Sequence, residues 1–266
     1  MELEEDLDQT NLFEEPADFA PPKPPTKQVF KLASGKEITI HLVGYNLYEG
    51  HYLWNGSRFV SQWIETHVPL VKGKTVLEIG AGGGLPSLVT AHLGARKTVV
   101  TDYPDQDLIV NINKNIDEAA ELLPTPTRDY IVAEGYKWAD DPAPLLAHIN
   151  QAGAADQAAT EKFDILILAD LLFKHPQHKN MVKTIQMTMS RRRESRAWVF
   201  FTSYRPWLKE KDLGFFDLAR EQGFDVEKVF ETRMDKPMFE NDPGDLDVQK
   251  TCTGWEIRWP EAQCEA

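Results

Sequence analysis

The clearest chemical signal in the chain is a run of small residues, Gly80-Ala81-Gly82-Gly83-Gly84, directly after a short apolar segment. Glycine lets a backbone turn sharply and approach a ligand closely, and the first N–H groups of a following helix point at that ligand. Leu85 and Ser87 stand where a dinucleotide fingerprint needs its third glycine, so that fingerprint fails in both frames. The run predicts a ligand-binding loop, and a tight turn without a ligand is the alternative.

A carboxylate that could bind a ribose stands 22 positions after Gly80. Asp102 ends a second short apolar segment. At the end of such a strand a carboxylate can accept hydrogen bonds from two ribose hydroxyls. Capping of the next helix is the alternative role, although Asp105 is better placed for that cap.

Strand and helix patterns alternate from Lys74 onward and supply the frame for these residues. Apolar runs predict seven core strands, over residues 75–79, 98–101, 130–133, 163–169, 197–202, 224–231 and 253–259. Helices are predicted over residues 85–93, 105–120, 142–149, 177–192 and 213–222. The order predicts an α/β fold with a doubly wound, Rossmann-like sheet that is mostly parallel and has an antiparallel edge pair.

The N-terminal part of the chain has a different character. Residues 1–27 are acidic and then proline-rich, which predicts a disordered tail. A hairpin over residues 28–43 and a helix over about 56–67 form an N-terminal extension that ends at residue 73. Residues 28–266 are therefore predicted to be a single domain, with its catalytic core over 74–260.

Composition limits the kinds of partner. The 266 residues carry a net charge of −13, of which residues 1–20 contribute −8, so the rest is only mildly acidic. This balance argues against nucleic acid and is compatible with a basic protein partner, with solubility as the alternative explanation. Two cysteines are too few for a disulfide framework. We expect no membrane span, a monomer, and a cytoplasmic protein, with the nucleus left open.

Five segments together resemble the family-16 group of seven-strand S-adenosylmethionine-dependent protein methyltransferases. They are Leu53-Trp54, Val76-Leu77-Glu78-Ile79-Gly80-Ala81-Gly82, Val100-Thr101-Asp102-Tyr103-Pro104, Tyr136-Lys137-Trp138 and Ala169-Asp170-Leu171-Leu172-Phe173. The resemblance covers residues 28–260. It implies a methyltransferase sheet and a protein substrate, translation elongation factor 1-alpha, methylated at its N-terminal amine and an adjacent lysine.

The resemblance also implies S-adenosylmethionine as cofactor, no metal, and a set of cofactor contacts. These contacts are Trp54, Gly80, Ala81, Gly82, Asp102, Trp138 and Ala169. The glycine loop would line the methionine and ribose, and Trp138 would lie on the adenine, where a flat ring stacks well. Trp54 would close the cofactor from the N-terminal side, and Ala169 would contribute its backbone. Packing in the core is the alternative role for both tryptophans.

Asp170 and Phe173 match the acid-x-x-aromatic motif of the family and are the predicted catalytic residues. Asp170 would hold the substrate ammonium near the methyl group, with helix capping as the alternative role. Tyrosine is common at the aromatic position of the family, so a role that needs a phenol hydroxyl does not fit Phe173. Methyl transfer from a sulfonium needs proximity, alignment and a neutral amine, and no metal.

Other functions stay open at this level. A methyltransferase acting on a small molecule or nucleic acid is one alternative, and a cofactor-binding interaction protein without turnover is another. His175 and His178 could share a helix face, but solvated histidines are the expected interpretation. The acidic loop over 232–250 is predicted to lie beside the cofactor, free of helix, and to draw in a basic segment.

Overall fold

The computed structural model of the protein describes residues 24–45, 47–150 and 161–265. The predicted N-terminal tail falls mostly on residues 1–23 and lies largely outside the described residues. Residues 150–162 are rich in Ala, Gln and Gly without apolar periodicity, which predicts a surface insertion, and this prediction also lies largely outside the described residues. The predicted tail extends too far along the chain. Thr26 and Lys27 belong to a strand that pairs with Leu42 and His41.

Within these described ranges, the central element is a seven-stranded sheet. Its strands are β3 (Thr75–Ile79), β4 (Lys97–Asp102), β5 (Ile131–Gly135), β6 (Ile165–Ala169), β7 (Arg196–Thr202), β8 (Asp225–Arg233) and β9 (Thr251–Arg258). Their order across the sheet is β5-β4-β3-β6-β7-β9-β8. The first five strands of that order pair in parallel, and β9 pairs antiparallel with both β7 and β8. The predicted fold class is therefore confirmed.

Helices cover both faces of this sheet. They are α1 (Asn55–Thr66), α2 (Leu85–His92), α3 (Gln106–Glu118), α4 (Thr127–Tyr130), α5 (Ala143–Ala147), α6 (His178–Thr188), α7 (Lys209–Glu221) and α8 (Leu246–Gln249). Helices α1 to α3 contribute to one apolar core, and α5 to α7 contribute to the other. Consecutive residues of β3 face opposite cores, as Val76 and Leu77 show. All five residues of β3 and β6 are buried, as expected for central parallel strands.

The N-terminal hairpin is fastened to the ligand-binding side of the sheet. It consists of β1 (Thr26–Lys31) and β2 (Glu37–Leu42), which confirms the predicted hairpin. Asn115 of α3 is fully buried and makes two hydrogen bonds with the backbone of His41 in β2, accepting from its N–H at 2.8 Å and donating to its carbonyl at 2.9 Å. The same amide donates to the carbonyl of Gly83 at 2.9 Å. One buried side chain thus joins the hairpin to the glycine loop.

The connection between β8 and β9 differs from its prediction. The sequence pattern predicts a connection free of helix, but it contains the single turn α8. Asp245 starts this turn, because its side chain accepts hydrogen bonds from the N–H groups of Asp247 and Val248. Helix α6 is also shorter than predicted, since the chain at Met189 leaves the helix and forms a bridge with Phe163.

Candidate active site

A cavity of about 510 Å³ opens at the carboxyl ends of β3, β4 and β6. It is lined at one end by the loop after β3 and by the end of β4, and at the other by the segments before α1 and after β6. All nine residues predicted as catalytic or cofactor-binding line this cavity: Trp54, Gly80, Ala81, Gly82, Asp102, Trp138, Ala169, Asp170 and Phe173. The fold therefore brings the predicted site residues together, whereas their individual roles stay predictions.

The glycine loop has a conformation that needs glycine. Gly80, Gly82 and Gly84 have φ values of +64°, +56° and +76°, which side chains rarely adopt. A Cβ atom on Gly80 would lie 2.6 Å from Leu171 Cδ2 and 3.2 Å from Trp138 Cζ2. Any other residue would be strained at these backbone angles, and a side chain at Gly80 would collide with the opposite wall of the cavity.

Two buried carboxyl groups hold this loop in place. Glu78 accepts hydrogen bonds from the N–H and the hydroxyl of Ser87, which joins β3 to the start of α2. Asp102 accepts from the N–H of Gly82 at 2.7 Å and from that of Tyr103 at 2.6 Å. Burial raises the pKa of Glu78 to about 8 and the pKa of Asp102 to about 6. Asp102 still lines the cavity, so its remaining lone pairs can accept from a ligand.

Asp170 is more deeply embedded than the sequence suggests. It is 3% exposed, and its backbone has a φ of +54°, which is uncommon outside glycine. Its carboxyl group accepts from the N–H of Gly56, from the N–H of Thr202 at 2.9 Å and from the hydroxyl of Tyr204 at 3.2 Å. Burial raises the pKa of Asp170 to about 7. These bonds fasten the start of α1 to the end of β7, so the carboxyl group is engaged within the protein.

Three aromatic residues, Tyr52, Trp54 and Phe173, line this end of the cavity, and Tyr204 and Phe239 pack against Trp54 from outside the lining. We call these five residues the cavity cluster. The ring centroid of Trp54 lies 5.3 Å from that of Tyr52, 6.1 Å from Phe173, 5.1 Å from Tyr204 and 6.0 Å from Phe239. Phe239 also contacts the rings of Tyr52 and Tyr204. Trp54 and Phe173 are predicted site residues, and the sequence also points to Tyr52 in an aromatic-rich loop and to the segment Tyr204-Arg205-Pro206-Trp207 as a candidate for substrate recognition. Phe239 was missed, because it lies in a connection without a motif.

A second pair of rings was also missed at the glycine end. Tyr48 and Tyr103 stack with centroids 4.2 Å apart, and Lys137 Nζ lies 5.6 Å from the Tyr103 centroid. All three residues line the cavity. The position of Tyr103 directly after Asp102 is the one signal in the sequence that could have found this pair.

The two histidines that were expected to be solvated make contacts within the protein, and His178 is buried. His175 Nε2 lies 2.6 Å from Asp212 Oδ1, and His178 Nε2 lies 2.7 Å from the carbonyl of Leu172. In the part of the chain that the structure describes, no cluster of three or more histidine, cysteine or acidic residues could hold a metal ion. In that same part, no helix is both long enough and apolar enough to cross a membrane.

The acidic loop between β8 and β9 lies beside the cavity, since Phe239 contacts Trp54, but its charges are partly neutralised. Asp247 pairs with Arg233, and Glu240 lies 3.4 Å from Lys236. Asp245 caps α8, as described above. The loop is therefore less strongly acidic than the sequence suggests.

Comparison with known proteins agrees with this geometry. A family model described as lysine methyltransferase matches residues 33–222. The chain belongs to this lysine methyltransferase family. Among its relatives is the Protein N-terminal and lysine N-methyltransferase EFM7 of Gibberella zeae, which is 56% identical over 257 residues, covering 96% of each chain. The protein of the same name from Schizosaccharomyces pombe is 38% identical and covers 96% of this chain and 97% of its own.

A solved structure supports the fold assignment of this lysine methyltransferase family member. TYW2 of Pyrococcus horikoshii, in complex with MeSAdo, superposes with a TM-score of 0.52. The match covers 88% of this chain and 72% of that one, at 14% sequence identity. At this identity the likeness concerns the methyltransferase fold alone.

Proposed function

We propose that this enzyme transfers methyl groups from S-adenosylmethionine to the N-terminal amine and an adjacent lysine of a protein, and that this protein is translation elongation factor 1-alpha. The relatives that carry the name of a protein N-terminal and lysine methyltransferase span nearly the whole chain, which supports the reaction. The observation that carries the proposal is the cavity in which the glycine loop and Asp102 face Trp54 and Phe173.

The residues of the cavity fit the cofactor. S-adenosylmethionine, when bound, supplies a methyl group on a positively charged sulfur. The glycine loop leaves room for its methionine and ribose, Asp102 offers a hydrogen-bond acceptor, and Trp138 lies beside Gly80 with a flat ring for the adenine. The backbone of Ala169 and the ring of Trp54 complete this set of proposed contacts.

The protein has to present a neutral amine to the methyl carbon. In the transfer a new N–C bond forms as the C–S bond breaks, and the extra proton of the amine passes to water. At neutral pH, deprotonation costs about 4.6 kcal/mol for a lysine and about 1.4 kcal/mol for an N-terminal amine. An N-terminal amine is therefore the easier first target.

Asp170 takes a positioning role in this proposal. Its oxygens accept from Gly56, Thr202 and Tyr204, so it holds the start of α1, and with it Trp54, against the end of the sheet. The predicted contact of Asp170 with the substrate ammonium stays a prediction, because three hydrogen bonds leave one acceptor position of a carboxylate that lines the cavity. Phe173 contributes an apolar ring to the amine side of the cavity.

The experiment combines the enzyme, labelled S-adenosylmethionine and recombinant elongation factor 1-alpha, followed by mass spectrometry of the N-terminal peptide. We expect labelled methyl groups on the N-terminal amine and on the adjacent lysine. When the substrate is N-terminally acetylated, the label on the N-terminal amine should be lost. Label on another protein of a lysate with none on the elongation factor would overturn the substrate assignment. Monomeric state, cytoplasmic location and the absence of a nucleic-acid partner stay predictions.

A matched pair of variants tests the cofactor end. Asp102→Ala should weaken S-adenosylmethionine binding by about 1–3 kcal/mol, because a hydrogen bond to a charged group is lost. Asp105→Ala is the control, since Asp105 lies in the same segment but caps α3 by accepting from Asp107 and Leu108. It should lower stability by about 1 kcal/mol and leave cofactor affinity unchanged. Equal calorimetric affinities for the two variants would contradict the ribose role.

A further inference from the structure

We propose that the cavity cluster is a binding site for an alkylated ammonium group, with Phe239 as the residue that positions its rings. The inference rests on the proposed function and deepens it, because it names what recognises the amine end of the substrate. The chemical class is a methylated or quaternary ammonium, which is large, positively charged and weakly hydrated. Such cations bind to the faces of tryptophan, tyrosine and phenylalanine rings.

The rings of the cluster are held in fixed orientations by polar contacts at their edges. Trp54 Nε1 donates to the carbonyl of Glu49 at 3.0 Å. The hydroxyl of Tyr204 donates to Asp170 at 3.2 Å and accepts from the N–H of Asn55 at 3.2 Å. Because the polar groups are engaged at the ring edges, ring faces remain as the surfaces that the cluster can offer to a ligand.

The nearest buried carboxyl group, Asp170, is largely engaged within the protein. Asp170 is 3% exposed and accepts three hydrogen bonds from protein groups. The other charged side chains that line the cavity are Glu49, Asp102, Lys137, Asp140 and Lys174. Glu49 lies 3.8 Å from His51, and Asp102 holds the glycine loop. The rings of Trp54 and Phe173 are therefore the apolar surface that a cation in this part of the cavity would contact.

One ring of the cluster already carries a cation of the protein. Lys174 Nζ lies 5.1 Å from the centroid of Phe173. This contact shows that the electrostatics of the wall suit a positive charge. During methyl transfer the positive charge moves from sulfur to nitrogen, so rings beside the nitrogen would stabilise the charge where it develops.

Phe239 supports the lining rings Tyr52 and Trp54 from a distant part of the chain. It lies in the connection between β8 and β9, and its ring packs edge-on against Tyr52 and Trp54 at 5.3 and 6.0 Å. The connection is fastened to the segment after β7, because Gly244 packs against Pro206. Buried Gln249 also holds the connection together by donating to the carbonyl of Pro243 at 2.9 Å. Phe239 is thus a positioning residue that acts through Tyr52 and Trp54.

The test compares two probes of equal shape, choline and its uncharged isostere 3,3-dimethylbutan-1-ol. Both are titrated into the full chain saturated with S-adenosylhomocysteine, so that the cofactor half of the cavity is filled, and binding is followed by saturation-transfer NMR. We expect the protein to bind choline at least about fivefold more tightly than the isostere, because only the charged probe gains cation–π attraction.

Four variants locate the site. Phe173→Leu and Phe239→Leu should reduce the preference for choline at least about threefold, because a ring is lost from the wall or from its support. Phe173→Tyr retains the ring and should retain the preference. Phe230→Leu is the control, since Phe230 packs against Phe59 and Phe200 away from the cavity. It should lower stability and leave the preference unchanged.

Equal affinities for choline and its isostere would overturn the inference. It would also be overturned if Phe173→Leu and Phe239→Leu both fold and both keep the full preference for choline over the isostere. The titration of S-adenosylmethionine into the same preparations separates this failure from failure of the proposed function. A chain that binds the cofactor without preferring choline lacks only the cation site. A chain that does not bind the cofactor contradicts the proposed function itself.

Discussion

The two ends of the cavity are built in different ways. The backbone of the glycine end comes from one stretch of chain, residues 78–103, in which two adjacent strands and their loops supply most of the site. Side chains of Tyr48, Lys137 and Trp138 add to it from other segments. The aromatic end comes from four separate segments, around residues 52–54, 173, 204 and 239. Backbone shape dominates at the first end and ring packing at the second. Local changes should therefore have sharp effects at the glycine end and distributed effects at the aromatic end.

The largest effect is expected for Gly80→Ala at the glycine end. The new Cβ would meet Leu171 at 2.6 Å in a backbone conformation with φ +64°. We expect a loss of at least about 2 kcal/mol in cofactor binding free energy, because the loop must move to relieve the clash. Isothermal titration with S-adenosylmethionine measures it.

Gly73→Ala is the matched control for this change. Gly73 has a similar φ of +73°, but nothing lies within 4 Å of the position that a Cβ atom would take there. It should cost about 1 kcal/mol of stability through backbone strain and leave cofactor affinity unchanged. If both alanines weakened cofactor binding equally, close packing of the glycine loop would not be the reason for its glycines.

At the aromatic end, Asp170→Ala should lower the free energy of unfolding by about 2–4 kcal/mol. The buried N–H groups of Gly56 and Thr202 would lose their acceptor, and each unsatisfied group is costly. Urea denaturation gives the value. Asp140→Ala serves as comparison, because Asp140 lines the same cavity and is exposed, so its removal should change stability by less than about 0.5 kcal/mol.

The dependence of protein stability on pH provides a further test at the glycine end, through Glu78. The pKa of Glu78 is raised by burial to about 8, above its value of about 4.3 in an unfolded chain. A raised pKa in the folded state means that stability from this group is greatest at acid pH and is lost as the pH rises towards 8. Glu78→Gln keeps an acceptor for Ser87 but does not titrate.

The stability advantage of the unmodified protein over Glu78→Gln should therefore shrink as the pH rises from 5 to 8. Thermal or urea unfolding of both proteins at the two pH values measures the difference. Parallel curves over this range would mean that Glu78 stays ionised in the folded protein.

The smallest effect is expected in the acidic loop at the rim of the aromatic end. Asp247 and Glu240 are paired and Asp245 is a cap, which leaves Asp242 as the clearer test of steering. Asp242→Asn should raise the apparent KM for the protein substrate by less than about twofold at low salt, and not at high salt, because exposed charges are screened. An effect independent of salt would argue for direct contact instead.

Most of the sheet could be predicted from the sequence because its strands are short, buried and apolar. The strand predicted over 75–79 agrees with β3, and the predicted edge pair agrees with β8 and β9. The errors occur where a local cap or a long-range bridge decides the outcome. Asp245 starts α8 within a connection that lacks apolar periodicity, and the bridge between Met189 and Phe163 ends α6 early.

The sequence by itself determined the glycine end, because a left-handed loop needs glycine and the strands that flank it are adjacent in both sequence and space. The tertiary structure decided the aromatic end. Tyr204 and Phe239 reach Trp54 only because β9 pairs between β7 and β8, which places the connections of these strands beside α1. It also decided the role of Asp170, since three donors from distant segments meet at its carboxyl group. Contacts between segments more than 100 residues apart leave no periodic pattern in a single sequence.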